Sequence, residues 1–177
     1  MRTVLIATSA IVFGLGLGAC GASSPPPGPP LPGSVTLGTV HADGTGFLPL
    51  EGDQPLVAGA QGGFHVWLKY RVSGMAPGKV HVLRTVRRVS DHRLLLTTEG
   101  NQEVGALAPD GTWELPTALP SFFCPSPLGV KIEDEPSLFD VVITTIEGAP
   151  LGEGTAEATP RCPTDDERVF CQRICDG

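Results

Sequence analysis

Five cysteines carry most of the reactive chemistry in this chain: Cys20, Cys124, Cys162, Cys171 and Cys175. An odd count leaves one thiol over if the others form disulfides. Cys20 is the odd one, because in "LGLGACGASSPPPGPP" it stands between an apolar run and a proline run, away from the other four. Cys171 and Cys175 are four residues apart and would share one face of a helix, an awkward geometry for bonding each other. Cys162 is therefore expected to pair with one of them and Cys124 with the other, stapling the tail to the domain. Spacing alone leaves the connectivity open. A zinc site is the competing chemistry, but Cys162, Cys171 and Cys175 lack the two-residue steps of structural zinc sites, and an exported chain favours oxidation.

Other candidate groups are fewer. His41, His65 and His81 lie at strand ends or in the loop "HADGTG", and together they could hold copper or zinc. Solvent-facing or turn histidines are the simpler reading, since no pair has helical ligand spacing and Met1 and Met75 are the only methionines. Charge is uneven: with Arg2 lost in a cleaved leader, 11 basic and 19 acidic residues give −8, yet residues 69–93 carry +6. Within that window Arg84, Arg87 and Arg88 form a candidate patch for an anionic polysaccharide, a lipid head group or an acidic envelope protein. Against it stands the ordinary expectation that arginines on strands pair with neighbouring carboxylates. Overall acidity and the export signal disfavour nucleic acid. There is no G-x-S-x-G elbow, phosphate loop or H-E-x-x-H helix, "DGTG" and "DGTW" lack a full calcium ligand series, and no cofactor is implied. A non-enzymatic role follows.

The elements that would position these residues begin with a leader. Arg2 precedes Val4 to Leu17, an apolar run of 14 residues, where a membrane span needs about 20. A secretory signal fits. Leu17, Gly18, Ala19 and Cys20 resemble the lipobox of bacterial lipoproteins. That resemblance implies a signal peptide over 1–19, a diacylglycerol-modified and acylated Cys20 as the first mature residue, and a membrane anchor. Several acyl chains hold stably where one does not. Gly21 stands where the family's inner-membrane retention signal has Asp, so the outer membrane is favoured. Gly21 to Gly33 then holds six prolines in 13 residues, an extended spacer on the order of 40 Å at about 3.1 Å per residue.

The rest has the length of one domain. Glycine and proline are spread throughout, aromatics are few, and period-two alternation recurs. "HVWLKYRVS" sets Val66, Leu68, Tyr70 and Val72 toward a core, with His65, Trp67, Lys69 and Arg71 toward solvent. Lys79 to Glu99 reads as a hairpin turning at Asp91 and His92, and Ser137 to Ile146 as a further strand. Weaker strands are expected over 34–40, 112–115, 130–133 and 154–159. In the tail, Thr164 and Glu167 make a capping-box pattern that predicts a helix over 165–174.

These elements predict an all-β antiparallel sandwich over 34–160, following a tether over 20–33 and followed by a cysteine-bearing tail over 161–177 with a short helix. "GAQGGFHVWLKYRV" and "SLFDVVITTIEG" resemble the Ig-like domains of uncharacterised bacterial lipoproteins, a resemblance that implies a fold and no activity. The resulting expectation is a membrane-anchored envelope lipoprotein acting as a non-catalytic binding or structural module. The alternative is a periplasmic accessory protein binding copper or zinc through its histidines.

Overall fold

The structure, a computed structural model, describes residues 33–126 and 129–176. The expected leader, Cys20 and nearly all of the tether lie outside the described residues. In chain order the elements are β1 (Gly33–Thr39), β2 (Leu48–Pro49), β3 (Gly52–Pro55), β4 (Val57–Ala58), β5 (Phe64–Ser73), β6 (Gly78–Arg88), β7 (Leu94–Val104), β8 (Thr112–Glu114), β9 (Leu119–Cys124), β10 (Ser137–Thr145), β11 (Pro150–Arg161) and α1 (Arg168–Cys175). The protein is all-β with one short C-terminal helix. Its strands follow the path β4-β5-β1-β11-β10-β6-β7, with β2, β3, β8 and β9 attached at the sides.

The sheet curls on itself through β5. From Phe64 to Leu68 this strand pairs with β4 and β9, and from Lys69 onward it pairs with β1 and β8. Side chains on its inner face therefore look across a sandwich-like core toward β6, β7 and β10. Antiparallel pairing holds along the meander, as expected, but β1 and β3 each run parallel to β11. The close approach of β1 to β11 needs a glycine. A Cβ at Gly154 would stand 2.0 Å from the Val35 carbonyl oxygen.

Alternation selects the core as the sequence requires. Val66, Leu68, Tyr70 and Val72 are each 1% exposed, and Phe139, Val141 and Ile143 from β10 meet them nearly as fully buried. Each such aliphatic or aromatic side chain contributes roughly 1.5–3 kcal/mol. The other face of β5 departs from expectation: His65 and Lys69 are buried as well. A strand in the middle of a curled sheet is covered on both sides. Lys69 Nζ donates to the Gly46 carbonyl at 3.0 Å and to Glu114 Oε1 at 2.5 Å, so a loop and β8 close over it.

Three local expectations are corrected. Residues 130–133 form no strand; instead the Ile132 N–H donates to the Cys175 carbonyl and the Asp134 N–H to the Pro160 carbonyl, which ties the segment to α1 and to β11 separately. The second strand of the hairpin runs on past Glu99 to Val104, paired with β6 throughout. The helix starts at Arg168, with no side-chain cap at Glu167. Asp165 captures the turn before it, its Oδ1 accepting the Glu167 N–H at 3.0 Å, which is how a short carboxylate competes with a capping box.

The tail is joined to the sheet by Cys124–Cys175 and Cys162–Cys171. Cys171 and Cys175 do lie on one face of α1, each bonded to a different part of the domain. All four half-cystines belong to the hydrophobic core.

Candidate functional site

Period-two alternation along β6 places Val80, Val82, Arg84 and Val86 on one face and His81, Leu83, Thr85 and Arg87 on the other. The three valines are buried in the core. Arg84 is thus an arginine at a core position, and the expected surface patch does not assemble. Arg87 faces the opposite side of the sheet. Arg88 is held at the hairpin turn by Asp91, with Nη2 at 2.5 Å from Oδ2 and Nε at 3.0 Å from Oδ1.

Around Arg84 the register is specific. Its direct cross-strand neighbours are Val141 of β10 and Thr98 of β7. Arg84 Nη1 and Thr98 Oγ1 are both buried without a hydrogen-bond partner. Among the described residues no carboxylate makes an ion pair with Arg84. Burial pushes the guanidinium down from its ordinary pKa, opposed by the neighbouring Tyr70 phenol. Tyr70 reaches across the core from β5 and donates its hydroxyl to Gln102 Oε1 of β7. Burial pushes the phenol up to about 12, against a smaller opposing effect of Arg84. It stays a neutral donor at any physiological pH.

A cavity of about 140 Å³ adjoins this group, lined by Val82, Arg84, Gly100, Gln102 and Leu119, with Glu99 and Asn101. The last two belong to the outer face of β7. Asn101 Oδ1 lies 3.2 Å from His81 Nδ1 and Glu99 Oε2 lies 3.8 Å from His81 Nε2.

Two larger clefts hold internal ion pairs. The largest, about 720 Å³, lies between β3, β11 and α1 and is lined by Asp53, Glu133, Arg161, Arg168 and Gln172 among others. Arg161 spans it, with Nε 3.0 Å from Asp53 Oδ1 and Nη1 donating to Asp134, while Gln172 donates to the buried Glu133. The next, about 610 Å³, is walled by Arg71, Trp113 and Glu114. There Arg71 Nε bonds Glu114 Oε2 at 2.8 Å and its guanidinium lies 4.1 Å from the centre of the Phe47 ring. Burial raises the Glu114 pKa, but hydrogen bonds from Lys69 and Arg71 outweigh it and hold the carboxyl low. Size alone does not single out a binding site; Arg84 stands out as a cavity-lining arginine with a shielded nitrogen and no ion pair.

The histidines do not gather. His41 is exposed in its turn, where Asp43 is occupied by Thr45 through two hydrogen bonds that keep its carboxyl below the usual range. His65 is buried edge-on against Trp67, and burial lowers its pKa. His81 faces Asn101 and Glu99. Among the described residues, the potential metal ligands that come within reach of one another are Cys162, Cys171 and Cys175, and these sulfurs are engaged in disulfides.

No family model and no curated protein matches the chain. Solved structures similar to it include Bacteroides uniformis beta-glucuronidase 2, at 12% identity and a TM-score of 0.40 over 72% of this chain. The chain spans 14% of that protein's length. The N-terminal domain of PorA is similar at 15% identity and a TM-score of 0.31, over 72% of this chain and 96% of that domain.

Proposed function

We propose that this protein is a lipid-anchored lipoprotein of the bacterial envelope, attached through an acylated Cys20 and presenting its β-domain at the end of the proline tether as a non-catalytic binding module. The observation that supports the reading is the cysteine count inside the fold. Cys124, Cys162, Cys171 and Cys175 are consumed in two disulfides, which leaves Cys20 as the one thiol of the sequence available for modification. Two buried disulfides suit an oxidising, extracytoplasmic location. The placement of Gly21 favours the outer membrane. Most charged side chains in the clefts are matched in structural pairs, which favours binding or scaffolding over catalysis. Replacing Cys20 by Ser should release the protein into the soluble fraction when cells are broken without detergent. Undiminished membrane association of Cys20→Ser overturns the anchoring.

A further inference from the structure

An arginine stays protonated at any pH a cell meets, so the charge of Arg84 needs compensation from something other than titration. Removing a charge from water without a counter-charge is among the costliest arrangements a folded protein can hold. Here Arg84 is half-buried on the inner face of β6 beside buried valines, with its Nη1 shielded and no ion-pairing carboxylate among the described residues. Its cross-strand neighbour Thr98 repeats the deficit, and the two unsatisfied donors belong to directly opposed residues on one face of the β6–β7 ladder. The cavity beside them is about 140 Å³. A water's share of liquid volume is about 30 Å³, so this space takes one compact polyatomic ion and little more.

We propose that this cavity is a binding site for a single oxyanion group, a phosphate or a carboxylate, whose oxygens accept hydrogen bonds from the Arg84 guanidinium that lines it. Arg84 supplies the charge. Gln102 lines the cavity as a polar wall, its Oε1 already accepting the Tyr70 hydroxyl. Glu99 also lines the cavity, with its Oε2 3.8 Å from His81 Nε2. A free ion would fit within the cavity. A larger ligand, such as an acidic polysaccharide of the envelope, would insert only its charged group. The inference rests on reading the domain as a binding module, and its test does not depend on the anchor.

The full-length chain, purified in detergent and free of phosphate, is titrated separately with sodium phosphate, sodium acetate and polygalacturonate, with sodium chloride at matched ionic strength as control. Saturable binding of at least one oxyanion is expected at one site per chain, with the ring resonances of Tyr70, the single tyrosine, shifting along the same isotherm. Arg84→Met should weaken that binding roughly tenfold or more, as loss of a charge-assisted hydrogen bond implies, while Arg87→Gln should leave it unchanged. Binding of phosphate or acetate identifies a free small ion; binding of polygalacturonate alone identifies a polymer's pendant group. Absence of saturable binding in all three titrations, leaving only water to satisfy the two donors, overturns the site. Binding that survives Arg84→Met or falls with Arg87→Gln assigns the effect to surface charge and overturns it equally. Because the Tyr70 signal is read in the unsubstituted protein, the outcome stands even if Arg84→Met does not fold.

Discussion

At the α1 end of the domain Arg161 stands between Asp53 and Asp134, partly in water, in a cleft where each nearby acid has a partner. Inside the β6–β7 ladder Arg84 stands among valines with no acid to pair with. Both side chains are half-buried, but one is fastened by two carboxylates and the other has no ion pair. Hydrogen bonds to Asp53 and Asp134 hold the Arg161 pKa above its ordinary value, whereas burial drives that of Arg84 below it. Cleft volume ranks the two regions in the opposite order from unmet polar demand. The better guide to a binding site in this protein is the second, because a cleft with internal ion pairs offers a ligand only an exchange of one partner for another.

The largest change is expected at the Arg161 end, where the chain is cross-linked. Cys124–Cys175 closes 51 residues and Cys162–Cys171 closes nine. In the chain-entropy account, removing the long link costs roughly 4 kcal/mol and the short one about 2.5 kcal/mol. The double variant Cys124→Ala/Cys175→Ala should therefore lower the urea midpoint more than Cys162→Ala/Cys171→Ala. It should leave oxyanion binding at Arg84 intact if the two regions are independent. Equal losses from the two pairs, measured by urea denaturation, would remove the loop-length explanation.

A smaller effect should come from the Arg84 region, and only in alkali. The folded protein holds the Tyr70 proton more tightly than the unfolded chain does, with a pKa of about 12 against 10.0. Folding is therefore favoured by a contribution of roughly 2–3 kcal/mol that is present in full below pH 10 and is lost as the pH rises through 12. Tyr70→Phe should show a shallower decline of stability over that window than the unsubstituted protein. The absorbance of tyrosinate, which a single tyrosine makes unambiguous, should appear near pH 12. Ionisation near pH 10 would mean that the phenol is wet and that the polar wall beside Arg84 is open to solvent.

Much of this contrast was legible in the sequence, unevenly. The inner faces of β5 and β10 and the turn at Asp91 follow from alternation and turn chemistry, and cysteine parity points to two disulfides. The same alternation, extended through Val80, Val82 and Val86, places Arg84 at a core position. Grouping it with Arg87 and Arg88 by proximity along the chain, when adjacent strand residues face opposite sides, obscured that signal. What sequence could not supply was long-range. Burial of Lys69 depends on Glu114, 45 residues away, and on a loop folding over it. The Tyr70–Gln102 bond depends on how far the sheet curls. The two-residue strands β2 and β4, which carry too few residues to show a period, exist only because longer neighbours template them.

The smallest effect is the sharpest comparison. Arg161→Gln removes a half-exposed arginine whose two carboxylate partners remain hydrated, and ion pairs of this kind contribute little that can be measured. Its urea midpoint should coincide with that of the parent within replicate scatter. Arg84→Met, in the absence of any oxyanion, replaces a half-buried charge without an ion pair by an apolar chain of similar length, and should raise the midpoint, as exchanges of buried charge for apolar packing often do. With saturating ligand the order reverses, because only the parent gains the binding free energy. Two arginine substitutions would then differ in sign, and the difference would depend on an anion. If Arg84→Met instead destabilises the ligand-free protein while Arg161→Gln does nothing, Arg84 is already compensated inside the fold and the contrast between the two regions collapses.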